Sequence, residues 1–482
     1  TYAELQALKT RQVHFEAEGD PGEHPVRLSL MMNSNGNGGH RIVVKARQDG
    51  QGTRDLVGHT PYDPQAVGAI LQNARDALFD CYFERDEFGT VTDAQRDGPP
   101  AFTDKNGKSL AQFKRDLGTL AIQGSALFSL AFDHVKTDGS GLTPAIWQRE
   151  LIKTLRESAV IQITRVSSAN YVFPWSLVYE YPLITAERGE WRVCKIVNEE
   201  WAQDGTRQQP AGETHKRCKY HDEPWHQKNV ICPYGFWGLK HIIEEPQSIQ
   251  DSPTVADVGR RVHFADKLDL AVSITEDPAL VNKIATHLGN MAQLPEIRFV
   301  TPQPATGWKS LRPNLKAPEI VYFLCHGEAD EQNTLDSAYL SIGARDNDPD
   351  HRIYAVGTLG AWIRDLVDGP DTDAWAHQRP LIFINGCHTN GLRPGHIVSF
   401  ASAFTSLGAC GVLGTEVRVP ISVATEVAES FFKKIAPPQQ MTVGEALRQL
   451  RWELVNKGNV LGLAYSLYGL ADLKVETDPA GP

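Results

Sequence analysis

Short apolar runs alternate with helix-like stretches throughout the C-terminal half of the chain, and this alternation constrains the fold more than any other feature. Five runs are rich in β-branched and aromatic residues: 268–275, 296–302, 319–327, 379–389 and 410–419. The stretches predicted as helices include 355–368, 396–407, 421–435 and 442–457. Strands that are apolar on both faces belong to sheets covered by helices on both sides. The sequence therefore predicts an α/β fold with a mainly parallel sheet and helices on both faces.

The N-terminal half has a different pattern. Alternating residues predict strands over 13–19, 26–32 and 40–47, and an amphipathic stretch predicts a helix over 64–84. Residues 185–245 are polar, rich in Trp and hold three of the seven cysteines. We therefore expect four segments: a β-rich N-terminal extension (1–108), the first part of the main domain (109–184), a Cys/Trp-rich insertion (185–245) and the catalytic core (246–476).

Charge and composition exclude several classes of protein. The 482 residues carry a net charge of −11, so nucleic-acid binding is not indicated. No run of about 18 apolar residues is present, so no membrane span is expected, and no secretory leader is visible. Seven scattered cysteines are too few for a disulfide scaffold, which favours a reducing, cytoplasmic compartment. The sequence also lacks the Walker, GxGxxG, GxSxG and HExxH motifs.

Two of the predicted strands end in residues that can carry thiol chemistry. His326 lies at the end of the run 319–327, and Cys387 follows Gly386 in the run 379–389. Ligand sites of open parallel sheets lie beyond the carboxyl ends of the strands. Because neighbouring strands are ~4.8 Å apart, residues just past two such ends can come within side-chain reach. The sequence therefore predicts a Cys–His pair at one edge of the sheet.

This pair has the chemistry of a thiol hydrolase, which needs no cofactor. An imidazole beside a cysteine lowers the pKa of the thiol and later protonates the leaving amine. The backbone N–H groups of Gly327 and Cys387 are the predicted donors of an oxyanion hole. A cysteine in a buried strand is usually a small apolar residue, and a single histidine is usually a hydrogen-bonded polar group. The hypothesis therefore depends on the two residues occurring together at neighbouring strand ends.

From about residue 110 to 475 the sequence resembles the CHAT family of caspase-like proteins, which belong with caspases, separases and gingipains in one cysteine-peptidase clan. The matching segments, in order, are FPWSLVYE (173–180), VYFLCHG (321–327), FINGCHT (383–389), LGACGVLGTEVRVP (407–420), TVGEALRQLRWELV (442–455) and LGLAYSLYGLADLKV (461–475). The resemblance implies a caspase-like fold with His326 as the acid/base and Cys387 as the nucleophile.

The resemblance also implies cleavage of a specific protein partner, often in bacterial defence or programmed cell death. A free cytosolic protease needs control, so a regulatory protein or a missing N-terminal domain is the other expected partner. The N-terminal extension and the insertion are the candidate regulatory elements. Two alternatives stay open: a caspase-like scaffold without turnover, and a thiol acyltransferase that uses the same two residues.

The residue preferred before the cut stays open. In caspase-like enzymes the residue two before the nucleophile lines the first substrate pocket, which here is Asn385. The segment after the next strand supplies Glu416 and Arg418 to the same pocket. A carboxylate there would favour a basic residue and a guanidinium an acidic one. Because Glu416 and Arg418 alternate on one strand they share a face, and pairing with each other is the alternative.

A second group of chemically active residues lies within the insertion. It comprises Cys194, Cys218, His221 and Cys232, with His215 and His226 as further candidates. Cys218 and His221 have the spacing of a zinc-ligand pair, and a polar segment with little core is the kind that a structural zinc holds together. The intervals are irregular, so three free thiols with unrelated histidines remain the alternative to a zinc site.

Overall fold

The structure is a computed structural model that describes the chain in segments. These are residues 26–34, 40–48, 51–60, 64–85, 90–97, 108–133, 143–165, 172–184, 191–208, 217–226, 228–246, 260–330, 333, 337–368, 375, 378–386 and 394–477. The chain divides into two compact units. Unit 1 comprises Thr1–Leu78 and Lys108–Asp257, and unit 2 comprises Phe79–Gly107 and Val258–Pro482.

Unit 1 is built on a mixed sheet with the strand order β3-β2-β1-β4-β7. Its strands are β1 (Val26–Ser34), β2 (His40–Gln48), β3 (Gln51–Thr60), β4 (Val160–Arg165) and β7 (Ile242–Glu244). The N-terminal strands form antiparallel pairs, whereas β4 runs parallel to both β1 and β7. One sheet therefore joins strands from three of the four segments expected from the sequence. A separate parallel pair is formed by β5 (Arg192–Val193) and β6 (Val230–Ile231).

The helices of unit 1 pack around an aromatic core. They are Pro64–Phe79, Leu110–Phe128, Pro144–Thr154, Lys195–Glu200 and Trp237–Lys240. Ser109 caps the second helix by accepting a hydrogen bond from the N–H of Gln112. That helix lies so close to the segment 173–180 that a Cβ at Gly124 would clash with the carbonyl of Leu177. Trp175 and Trp237 stack with ring centroids 6.0 Å apart, so the segment 173–180 and the helix Trp237–Lys240 share one core.

Unit 2 contains the regular sheet, with the order β10-β9-β11-β14-β15-β16. Its strands are β8 (Arg261–Phe264), β9 (Leu268–Ile274), β10 (Ile297–Phe299), β11 (Ile320–Ala329), β12 (Ala338–Ser341), β13 (Arg352–Tyr354), β14 (Leu381–Gly386), β15 (Gly411–Thr415), β16 (Tyr465–Gly469) and β17 (Lys474–Thr477). The pairs from β10 to β15 are parallel, and β16 is antiparallel to β15. Strands β12 and β13 extend β11 as an antiparallel pair of their own, and β8 pairs with β17.

Helices cover both faces of this sheet. The helices of unit 2 are Asp93–Asp97, Val281–Ala292, Trp308–Leu311, Gly360–Asp368, Pro394–Ser406, Ile421–Ile435 and Val443–Asn456. Tyr322 of β11 packs against Phe432 on one face, while the next residue, Phe323, packs against Phe404 on the other. Alternate strand residues thus enter two helical layers, and the predicted α/β fold with its mainly parallel sheet is confirmed.

Several elements differ from the prediction. Several strands were not predicted, because most of them are short or lie in less apolar sequence: β3, β5, β6, β7, β8, β12, β13, β16 and β17. The expected strand over 13–19 lies outside the described residues. Residues 230–246 are buried in unit 1, although the sequence predicts a polar insertion there. Within the described segments, no helix combines the length and apolar character needed to cross a bilayer.

Candidate active site and metal-ligand cluster

Strands β11 and β14 bring the two predicted strand ends side by side. They are parallel and paired over six residues, from Ile320 with Leu381 to Cys325 with Gly386. The residue before His326 is therefore paired with the residue before Cys387. Cys387 itself lies outside the described residues. We refer to His326, Asp277 and the end of β14 at Gly386 as the strand-end site.

His326 is fully buried and lies beside a carboxylate. Its Nε2 atom is 3.2 Å from Oδ2 of Asp277, and the Asp277 side chain keeps 18% of its surface exposed. Asp277 follows the end of β9, the strand on the other side of β11. A carboxylate at this distance attracts a positively charged group through the Coulomb interaction. The strand-end site is thus formed at the carboxyl ends of three adjacent parallel strands.

Sequence reasoning missed Asp277, although a signal for it was present. An acidic residue that follows the apolar run 268–275 lies at the same sheet edge as residues that follow the other parallel strands. A local turn fixes its side chain, since the N–H of Ala279 donates to Asp277 Oδ1 at 2.9 Å. Arg345 lies 4.0 Å from Asp277 Oδ2 and donates from Nε to Glu328 Oε1 at 2.9 Å. The surroundings of His326 therefore carry both signs of charge.

Two neighbours of His326 have distinct environments. Gly327, a predicted oxyanion donor, is buried in β11 opposite Leu340 of β12. Cys325 belongs to the apolar cluster on the other face of the sheet. Burial raises the pKa of the Cys325 thiol to about 12. Cys325 therefore stays a neutral thiol, which is a poor nucleophile.

Asn385, predicted as a pocket residue, is completely buried in a hydrogen-bond network. Its Nδ2 donates to the carbonyl of Ala424 at 2.7 Å and lies 3.1 Å from the Tyr322 hydroxyl. Its Oδ1 accepts from the Tyr465 hydroxyl at 3.0 Å. The amide is thus occupied by partners inside unit 2. The structure places Asn385 as a support beneath the end of β14.

The network continues beyond Asn385 to the buried His287 and the partly exposed Glu429. The Tyr322 hydroxyl also lies 3.1 Å from Nε2 of His287, whose Nδ1 is 2.9 Å from Glu429 Oε1. Burial raises the pKa of Glu429, but hydrogen bonds from His287 and Asn290 outweigh this effect and lower the pKa overall. The strand that leads to Cys387 is therefore tied to the helices Val281–Ala292 and Ile421–Ile435.

The other two predicted pocket residues also have partners within unit 2. Glu416 is buried and accepts hydrogen bonds from Ser466 Oγ at 3.0 Å and from the Tyr468 hydroxyl at 3.2 Å. The guanidinium of Arg418 lies over the ring of Phe79 at 4.3 Å. Substrate-binding roles for Asn385, Glu416 and Arg418 stay predictions.

The structure also gathers the three cysteines of residues 185–245 around one histidine. The four residues are Cys194, Cys218, His226 and Cys232, all buried, with donor atoms within 4.8 Å of one another. We refer to them as the Cys/His cluster. The predicted ligand His221 is not part of this group; its ring centroid lies 6.5 Å from that of His226. His226 occupies the fourth position because the turn Pro224–His226 brings it back towards Cys218.

The three thiols of the cluster perturb one another. Hydrogen bonds from Cys194 and Cys232 lower the pKa of Cys218 far below its ordinary value. The hydrogen bond with Cys218 raises the pKa of Cys194 to about 12, and burial raises that of Cys232. The three cysteines therefore form one coupled group, in which the environment of each sulfur depends on the other two.

Comparisons with known proteins are consistent with the sequence resemblance. A probable protease of Vitiosangium sp. (strain GDMCC 1.1324) is 25% identical over 465 residues, which cover 92% of this chain and 54% of that protein. The chain thus spans about half the length of this curated relative.

Two solved structures are similar at low sequence identity. The Saccharomyces cerevisiae separase–securin complex aligns with a TM-score of 0.42 and 9% identity, covering 94% of this chain and 30% of that one. The Arg-specific cysteine proteinase gingipain R aligns with a TM-score of 0.37 and 11% identity, covering 78% and 80%. The CHAT domain family model matches residues 239–462. This match confirms the predicted resemblance to the CHAT family for residues 239–462.

Proposed function

We propose that the protein is a caspase-like cysteine endopeptidase in which His326 is the acid/base and Cys387 the nucleophile. The observation that carries the proposal is the register of β11 and β14, which pairs Cys325 with Gly386. Cys387 follows Gly386 by one peptide bond, so its Cα is ~3.8 Å from that of Gly386. In the sequence, His326 and Cys387 are the residues that directly follow this last parallel pair.

The proposed reaction follows the chemistry of thiol acyl transfer. The Cys387 thiolate attacks the carbonyl carbon of the substrate, and the carbon–nitrogen bond breaks as His326 gives its proton to the leaving amine. Water then hydrolyses the thioester, with His326 accepting a proton from it, and the thiolate is restored. The backbone N–H groups of Gly327 and Cys387 are the proposed oxyanion donors. Asp277 stabilises the charged form of His326 during the cycle.

The substrate of this reaction is proposed to be a specific protein partner in the bacterial cytoplasm, cleaved during defence or programmed cell death. The family resemblance and the name of the Vitiosangium relative, a probable protease, support this assignment. A regulatory partner that restricts the site is part of the proposal, because an unrestrained protease would damage its host cell.

The test is a digest of a proteome-derived peptide library, with the cut sites identified by mass spectrometry. We expect one preferred residue before the cut, and we expect Cys387→Ala and His326→Ala each to lower the rate by at least ~10³-fold without loss of folding. The matched control is Cys325→Ala, which removes a neighbouring buried thiol and should retain activity.

The outcome of the same digest separates the alternatives. Cleavage that persists in Cys387→Ala would overturn the nucleophile. A folded wild-type protein that binds a partner but releases no peptide products would favour a scaffold. Transfer of an acyl group to an added amine, without net hydrolysis, would favour an acyltransferase.

A further inference from the structure

We propose that unit 1 binds one structural zinc ion through three thiolates and one imidazole. The ligands are Cys194, Cys218, His226 and Cys232. These residues lie before or outside the part of the chain that matches the CHAT family model, residues 239–462. The site is therefore a property of unit 1 that is independent of the proposed peptidase chemistry.

The distances between the donor atoms fit tetrahedral zinc. A Zn–S bond of ~2.3 Å and tetrahedral angles place two sulfur ligands ~3.8 Å apart. The Sγ atoms of Cys194 and Cys218 are 3.8 Å apart, and all four donor atoms lie within 4.8 Å of one another. Three thiolates and one imidazole form one of the common structural zinc sites, whereas hard cations prefer oxygen ligands.

The backbone around the cluster holds two of the cysteines in register. Arg192 pairs with Val230 and Val193 with Ile231, so Cys194 and Cys232 each follow the same short parallel ladder. The N–H of Cys194 continues that ladder by donating to the Ile231 carbonyl at 2.8 Å. The Tyr179 hydroxyl accepts from the N–H of Cys232 at 2.9 Å. The backbone therefore fixes the positions of two of the four ligands relative to each other.

Backbone N–H groups also point at the sulfur atoms. The N–H of Tyr220 donates to Cys218 Sγ at 3.4 Å, and the N–H of Ile196 interacts in the same way with the sulfur of Cys194. In both cases the donor is two residues after the cysteine. Hydrogen bonds of this kind stabilise a thiolate more than a thiol, and they commonly support the ligands of metal sites.

The fourth ligand is a buried imidazole whose ring nitrogens are otherwise unsatisfied. His226 is 2% exposed and its imidazole contacts Cys218, but neither Nδ1 nor Nε2 has the geometry of a hydrogen bond to a described residue. The rings of Tyr181 and Trp225 pack edge-on against it at 5.2 and 5.3 Å, which fixes its orientation. A buried polar atom without a hydrogen-bond partner destabilises the folded state. A zinc ion bound to one ring nitrogen would remove this destabilisation for that nitrogen.

A metal also explains how this part of unit 1 stays folded with little regular structure. The elements that carry the ligands are two strands of two residues each, the six-residue helix Lys195–Glu200 and the turn Pro224–His226. Segments of this size rarely hold their conformation alone, and zinc binding supplies folding free energy directly. A disulfide between two of the thiols would cross-link the same segment but would leave the third thiol and the imidazole unused.

The first test is the metal content of the full chain, produced without a polyhistidine tag or chelators in zinc-supplemented medium. Elemental analysis should find about one zinc per chain. Replacement by cobalt(II) should give intense thiolate-to-cobalt charge-transfer absorption, reduced by roughly one third in Cys218→Ser. Zinc below ~0.2 equivalents together with no such absorption, or a disulfide among the three cysteines found by mass spectrometry, would overturn the proposal.

The second test distinguishes the two histidines that lie close together. His226→Asn should weaken zinc retention against a competing chelator by at least 10- to 100-fold. The matched control His221→Asn should retain zinc like the wild type. The reverse result would remove His226 from the site. If His226→Asn does not fold, chelation of the wild type still decides: faster hydrogen exchange across 191–232 supports the site, and unchanged exchange rejects it.

Discussion

The strand-end site and the Cys/His cluster hold their functional side chains by opposite means. At the strand-end site, His326 directly follows the part of β11 that is paired with β9 and β14, and it pairs with Ser341 of β12. In the Cys/His cluster, two ligands directly follow two-residue strands and the other two lie in turns. A regular sheet determines positions through a repeated hydrogen-bond pattern, whereas each turn has a geometry of its own.

The difference has an energetic side. The sheet of unit 2 is stabilised by apolar layers on both faces, so the strand-end site is preorganised by the fold itself. In the cluster the surrounding elements are short, and the proposed zinc ion would supply the stabilisation that they lack. We therefore expect the strand-end site to keep its geometry without any ligand and the cluster to depend on its metal. The predictions below test both parts of this comparison.

The largest effect on stability is expected where residues 185–245 pack into the aromatic core of unit 1. Trp237 is fully buried between Trp175 and Phe132, with ring centroids 6.0 and 5.6 Å away. Trp237→Ala should lower the free energy of unfolding of unit 1 by ~3–5 kcal/mol, since it removes a large core side chain. Urea unfolding, with hydrogen exchange to locate the change in unit 1, measures this loss.

Trp191→Ala is the matched control, because Trp191 lies in the same segment but is only partly buried. This substitution should lower the free energy of unfolding by ~1 kcal/mol or less. Equal and small effects of the two substitutions would break the comparison, since residues 185–245 would then behave as a separable insertion. In that case deletion of 190–240 would leave a folded protein; the structure leads us to expect an unfolded unit 1.

The next effect concerns the network beneath the strand-end site. Asn385→Ala should destabilise unit 2 by ~2–4 kcal/mol, because it creates a cavity and leaves the buried hydrogen-bond partners of Asn385 unsatisfied. Those partners are the hydroxyls of Tyr322 and Tyr465 and the carbonyl of Ala424. Tyr465→Phe, which deletes one hydroxyl of the same network, should cost only ~1 kcal/mol. Equal losses in the two variants would show that the network is not centred on Asn385.

The comparison also explains what the sequence could predict. The sheet, its helices and the position of His326 near the end of a strand follow from apolar periodicity. A strand that is buried on both faces consists mainly of apolar residues, so it can be recognised in the sequence. The helix Ile421–Ile435 coincides with its prediction residue for residue. Asp277 lies one turn past a correctly predicted strand, so the rule that located His326 would also have found it.

Other features of the structure cannot be recognised from the residue pattern. The three cysteines of the cluster were recognised because they are concentrated in one segment. The choice between His221 and His226 depends on the path of two successive turns, and sequence spacing alone does not determine that path. The burial of Asn385 depends on hydroxyl groups 63 and 80 residues away. The sheet that joins β1, β4 and β7 depends on pairings between distant segments, which periodicity does not reveal.

A smaller effect is expected at Asp277. Asp277→Asn should lower kcat by roughly 10- to 100-fold, equivalent to ~1.4–2.7 kcal/mol, with little change in KM, because the neutral amide no longer favours the imidazolium of His326. The control is Glu276→Gln, which removes the neighbouring exposed carboxylate. Steady-state kinetics on the preferred peptide measure both. An equal loss in the two variants would indicate a general charge effect and not a role for the contact with His326.

The smallest effect lies at the opposite end of the same strands and concerns pH. Glu319 immediately precedes β11; its carboxylate accepts from the N–H of Asp269 in β9 and from Gln378 before β14, both at 2.6 Å. Burial raises the pKa of Glu319 from 4.5 to about 7. The folded state therefore binds a proton more tightly than the unfolded state between these values, and this group makes stability fall as pH rises from 4.5 to about 7.

Glu319→Gln removes this titration and keeps the shape of the side chain, but it retains only one of the two acceptor oxygens, so the readout is the pH dependence and not the absolute stability. The free energy of unfolding of unit 2 should therefore fall less in Glu319→Gln than in the wild type between pH 5 and pH 8, as measured by urea unfolding across ~pH 5–8. Because Glu319 bridges the amino ends of β9, β11 and β14, its ionisation should weaken the sheet while the carboxyl ends, with His326, stay in register. Parallel pH profiles for the two proteins would show that Glu319 is ionised in the folded state throughout, and the amino end would then carry a permanent buried charge.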